Sequence, residues 1–140
     1  MFPFFRALFF SKLVLLTPQN IDVNNNSLLT LETPIFAITN NARFMIDVQS
    51  MVPKGTNYFD GSSDQFFPKG CVTIRLLNNE NKSFDFSSYN RLGPSSDGSV
   101  NLMINFDGKV PTDTKFNRME IHTTCPLKNV KIYWDNAGSI

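Results

Sequence analysis

One histidine and two cysteines are all that 140 residues offer of the side chains most used for transition-metal binding and thiol or imidazole chemistry. A Cys/His metal cluster therefore has too few ligands to form, and a CxxC redox pair is absent. Two cysteines are also too few for a disulfide scaffold, and a single bridge requires an oxidising compartment. Charge of either sign is not in excess: 13 Lys and Arg face 12 Asp and Glu, for a net charge of +1. Phosphate neutralisation and counterion release supply most nucleic-acid affinity, so no nucleic-acid partner is expected. No cofactor fingerprint is present, and none is expected to bind.

Long apolar runs are missing too. The most hydrophobic stretch, FPFFRALFFSKLVLL at 2–16, is interrupted by Arg6 and Lys12. It falls short of the roughly 20 apolar residues a spanning helix needs. As a cleavable leader it is poor, because its charge lies within the apolar run and no small-x-small site precedes Gln19. Three readings stay open for residues 1–17: a first strand with Leu13 to Leu16 packed into the domain, a membrane-contacting segment whose Arg and Lys reach the headgroups, or the remnant of a longer leader. The compartment is left as cytoplasmic or envelope-associated.

What the chain has in plenty is phenylalanine, 14 in all, in a composition 41% hydrophobic and 18% charged. That balance is globular, and the size suits one domain, placed at 18–140. Large rings fit the half-buried surface of a strand. The hydrophobic period is close to two from Leu28 onward. Leu29, Leu31, Thr33, Ile35 and Ala37 share one face, with Pro34 forcing an edge or a bulge. Phe44, Ile46 and Val48 alternate with Met45, Asp47 and Gln49. Val72, Ile74 and Leu76 lead through a polar turn at 78–82 to Phe84 and Phe86, the clearest hairpin. Val100 to Phe106 follow, with a turn at Asp107-Gly108. Phe116, Met119 and Ile121 shift phase by one residue, as at a bulge, and Pro126 is expected to end that strand. Val130, Ile132 and Trp134 form the last, with Trp134 buried. The Asn run at 24–26 reads as a turn. About seven or eight short strands of this kind predict an all-β fold, an antiparallel sandwich of Ig-like or jelly-roll-like character.

Strand parity yields a further expectation. Cys71 is out of phase with Val72, Ile74 and Leu76, whereas Cys125 is in phase with Met119 and Ile121. The two thiols should then face apart and stay free.

Chemistry-bearing constellations are sparse. His122 and Cys125 have opposite parity, so an unbroken strand separates them, and His122 reads as an exposed strand residue. The serine pairs at 62–63, 87–88 and 95–96 lie in no G-x-S-x-G elbow. Asp60-Gly-Ser-Ser-Asp64 has oxygen ligands without the spacing of a calcium loop, and no metal is expected there. Asn25-Asn26-Ser27 and Asn81-Lys82-Ser83 match the N-glycosylation acceptor sequence, matches that chance supplies in a chain this rich in Asn and Ser and that matter only for a protein secreted in a glycosylating host.

The connection at 51–70 is the one unusual loop. Tyr58, Phe59, Phe66 and Phe67 bracket a polar centre that includes Asp60, Asp64 and Gln65. Structureless connections of such length are uncommon in compact domains. Rings beside adaptable polar groups suit a binding surface, with the competing reading that they only cap the core. The expected function is a non-catalytic binding module that recognises a protein or carbohydrate partner through end loops. The alternatives are a small hydrolase built from loop Asp and Ser residues, and an envelope structural protein held at a membrane by its N-terminus.

Overall fold

A computed structural model describes residues 13–17, 20–52, 67–94 and 100–136. The order of elements is β1 (Leu13–Leu15), β2 (Ile21–Phe36), β3 (Arg43–Asp47), a short 3-10 turn (Gln49–Met51), β4 (Val72–Leu77), β5 (Ser83–Pro94), β6 (Val100–Phe106) and β7 (Lys115–Asp135). The all-β class holds. Among the described residues the expected sandwich gives way to one continuous sheet of seven strands, whose path β7-β3-β6-β5-β4 returns to β7. Five strands thus close into a barrel, while β1 and β2 lie outside the circuit, each paired to β7.

Every pairing in that circuit is antiparallel. Direction alternates around an antiparallel ring, so an odd number of straight strands cannot close one. The conflict is absorbed in β7. Its first half, 118–123, pairs with β4, and its second half, 131–135, pairs with β3. Each other strand of the ring has at least one residue in register with both of its neighbours at once. In effect β7 serves as two strands joined by a corner at 124–130.

The local sequence explains that corner. Pro126 does not end the strand as expected. It lies just past the β4 ladder, whose last residue pair is Val72 with Thr123, so its missing N–H deprives β4 of nothing. The buried Thr123 hydroxyl hydrogen-bonds the Cys125 carbonyl and accepts from the Cys125 N–H at 3.1 Å, a local alternative to ladder pairing. Asn129 has φ of 57°, which Asn tolerates better than most residues. Its N–H donates to Asp22 Oδ1 at 2.8 Å, and its side-chain oxygen accepts from Asn20 Nδ2 at 2.8 Å. Burial shows the consequence: Leu127 and Val130 both face inward, three residues apart rather than two. Asn129→Ala should lower stability by about 1–2 kcal/mol, since Ala is strained at positive φ, and Asn129→Gly should lower it less. Equal losses in a urea melt would remove backbone strain from this account.

The Asn run at 24–26, expected to turn, is strand within β2 and paired to β7, with register shifts between Ile21 and Val23 and between Val23 and Asn25. Backbone pairing along the free side of β7 overrides the turn preference of Asn. Pro34 falls in the irregular stretch between Thr30 and Ile35, on an outer strand, where a missing donor is tolerated.

The barrel is filled by two linked aromatic groups. Phe44, Phe86 and Trp134 meet with ring centroids 4.8 to 5.9 Å apart. Phe84 contacts Phe106 and Phe116, and Phe86 joins the groups through Phe106 at 5.3 Å. The expected burial of Trp134 is met, and its indole N–H donates to the Phe36 carbonyl at 2.9 Å. The hairpin expected at 78–82 is present, with Leu77 opposite Ser83. Met45 and Met103, register partners on β3 and β6, are also buried although they lie outside the central core. Leu13–Leu15 run along β7, with Val14 and Leu15 exposed.

Candidate functional site

The two cysteines expected to be free form a disulfide, Cys71–Cys125, with Cα atoms 5.4 Å apart. Parity fails for Cys71 because it precedes β4 rather than belonging to it. It closes a turn in which its N–H donates to the Pro68 carbonyl at 3.0 Å and Gly70 takes φ of 77°. Such a residue is not bound by strand alternation. Its carbonyl accepts from the Thr124 N–H at 2.8 Å, which seats it against the β7 corner beside Cys125.

That corner also holds the other end of the 51–70 connection. Ser50 Oγ donates to the Asn129 carbonyl at 3.2 Å, and the Lys128 N–H donates to Met51 Sδ at 3.4 Å. Val48 hydrogen-bonds the Val100 carbonyl at 2.9 Å just before. The connection therefore leaves the barrel at 128–129 and returns at 125, both stems fixed to one bent segment. Of the loop residues singled out by sequence, Phe67 is fully buried in the core, where it anchors the returning stem and offers no exposed ring. Tyr58, Phe59, Asp60, Asp64, Gln65 and Phe66 lie outside the described residues.

Next to the returning stem the outer wall of β5, β4, β7 and β2 carries ordered cross-strand rows. Ser87, Thr73, His122 and Asn26 stand in register, followed by Asp85, Arg75, Glu120 and Leu28. Strand alternation accounts for this, because Ile74, Phe86 and Ile121 point into the barrel and leave the odd positions of β4 and of β5 at 83–87 and the even positions of β7 from 118 to 124 outside. A shallow groove of about 390 Å³ runs over Thr73, Arg75, Asp85, Ser87, Glu120 and His122. His122, expected on an exposed strand face, is exposed. The grouping around it was missed, since register between distant strands is not written in any one segment.

The groove is open, with charged and polar side chains set around apolar surface that includes Ile74. Arg75 Nε lies 2.7 Å from Asp85 Oδ1, with a second contact of 3.3 Å from Nη2 to Oδ2. The hydrogen bond and charge of Asp85 hold the guanidinium above its ordinary pKa, with Glu120 adding in the same direction and desolvation opposing. Exposed pairs of this kind add little to stability. Arg75→Gln and Asp85→Asn should leave the thermal midpoint unchanged, and a clear fall in either would show a structural role. The His122 ring Nδ1 hydrogen-bonds the Asn26 amide oxygen, which orients the exposed imidazole. Ser87 and His122 are separated by the whole of β4, roughly 10 Å at the usual strand spacing, so they make no nucleophile–base pair. Among the described residues no three His, Cys, Asp or Glu side chains converge on a common point. A second concavity of about 340 Å³ lies at the 40–43 turn, against Asn105, Phe106 and Val110. Asn40 Nδ2 donates to the Val110 carbonyl there, which ties the turn shut.

No family model, curated protein or solved structure gives a significant match to this chain.

Proposed function

We propose that the chain is a non-catalytic binding module that recognises a carbohydrate or protein partner through the 53–66 connection and the adjoining polar wall. The observation that carries this reading is the convergence of both stems on the β7 corner, with Thr73 two residues beyond the returning stem and His122 three residues before Cys125. A rigid scaffold that holds both ends of a long connection is the usual setting for a recognition loop. Of the two partner classes an oligosaccharide suits the surface better. The groove presents guanidinium, carboxylate, imidazole and hydroxyl groups beside a comparable share of apolar surface that includes Ile74, and Tyr58, Phe59 and Phe66 would provide faces for sugar rings. Asp60, Asp64 and Gln65 would add orienting hydrogen bonds.

The test is an oligosaccharide array probed with the labelled chain, then with Phe59→Ser/Phe66→Ser and with Arg75→Ala/His122→Ala. Retention of a defined glycan class that falls at least tenfold in either pair, with unchanged melting, supports the reading. Retention indifferent to both pairs, or no retained glycan at all, sinks the carbohydrate form of it.

A further inference from the structure

The acceptor sequence Asn81-Lys82-Ser83 sits at the tip of the β4–β5 hairpin, and its surroundings bear on whether it can be used. Asn78 closes the turn: its side-chain oxygen accepts from the N–H groups of Glu80 and Lys82, each at 2.9 Å, and its N–H donates to the Lys82 carbonyl at 3.1 Å. This places Asn81 at φ of 62°, with Asn81, Lys82 and Ser83 all exposed. The Asn81 amide is oriented by one contact. Its oxygen accepts from Arg118 Nη2 at 2.6 Å, while its nitrogen makes no hydrogen bond among the described residues. The nitrogen is the atom that carries a sugar in N-glycosylation. A glycosylated amide keeps its oxygen, so the Arg118 contact survives the modification.

The second acceptor sequence differs in setting. Asn25, Asn26 and Ser27 are strand residues, in register with Thr123, His122 and Ile121 of β7. To enter a transferase all three must leave that ladder, whereas Asn81 and Lys82 already project from a turn and only Ser83 is paired, with Leu77 at the very end of the β4–β5 ladder. An independent observation concerns compartment. The Cys71–Cys125 disulfide is a feature of chains that mature under oxidising conditions, where N-glycan transfer also takes place in glycosylating cells.

We propose that Asn81 is an N-glycan acceptor. In the transfer, Asn81 Nδ2 attacks C1 of the reducing-end sugar of a lipid-pyrophosphate-linked oligosaccharide. The N–C1 bond forms as the C1–O bond to pyrophosphate breaks. The electron pair leaves with the lipid pyrophosphate, and Nδ2 gives up one of its two protons. Nothing is oxidised or reduced.

The experiment directs the full chain, behind a cleavable leader, into the secretory pathway of a glycosylating eukaryotic cell and treats the product with peptide-N-glycosidase. The expected result is a single glycan whose removal leaves aspartate at position 81 in the peptide map. N81Q should abolish it. S83A should abolish it too, without touching the positive-φ residue, while S83T and S27A should retain it. A secreted product with no glycan at position 81, or a glycan that persists in both N81Q and S83A, overturns the proposal.

Discussion

Replacing Trp134 with alanine should lower the free energy of unfolding by about 3–5 kcal/mol, the range for large buried aromatics. Three losses combine. The ring is fully buried in the second half of β7, so its transfer energy is lost in full. It packs at 4.8 Å from Phe44 and meets Phe86 edge to face at 5.9 Å, contacts worth about 0.5–1.5 kcal/mol each beyond area. Its N–H also satisfies the Phe36 carbonyl at the end of β2, which the variant leaves without that donor. Trp134→Phe retains most of the ring and should recover more than half of the loss. The check is a urea titration of both variants, and near-native stability of Trp134→Ala would contradict the burial of the ring.

Removal of the disulfide is the second large effect. Cys71 and Cys125 are 54 residues apart in sequence. Chain entropy for a loop of that length corresponds to about 4 kcal/mol at 25 °C. The measured loss for Cys71→Ser/Cys125→Ser should approach this figure, because the bridge ties β4 to the one segment that must bend for the barrel to close. The first site to loosen should be the returning stem at 67–71. Hydrogen exchange at the Thr124 N–H, which donates to Cys71, should then accelerate more than exchange at Met45, on β3. Equal acceleration at the two would mean that the bridge acts on the unfolded chain alone.

Much of the fold was legible because it is local. The alternation at 72–76 and 84–86 and the polar turn between them specify a hairpin from one short stretch, and Ile74 opposite Phe86 confirms it. The phase slip between Phe116 and Met119 was legible for the same reason, and both are buried. What could not be read depends on partners far along the chain. The Asn run at 24–26 has turn propensity, and only the unpaired side of β7 makes it strand. Pro126 resembles a terminator until β4 is seen to stop just before it. Cys71 lies one residue outside its strand, so its parity carried no information, and the disulfide followed from a turn that places it against Thr124. The distinction between sandwich and barrel rests on which strands meet at the ends of the sheet, a fact that no single segment contains. The same holds for the polar wall: Thr73 and Arg75 lie on β4, Glu120 and His122 on β7, and only the register makes them neighbours.

The dual pairing of β7 underlies the barrel, the corner and the placement of both loop stems. Cross-strand nuclear Overhauser effects in one sample of the folded chain test it most directly. The account predicts contacts between Thr73 and His122 together with contacts between Met45 and Tyr133, both sets at full intensity. Observation of one set without the other would mean an open sheet or two separate sheets, and would contradict the closed barrel.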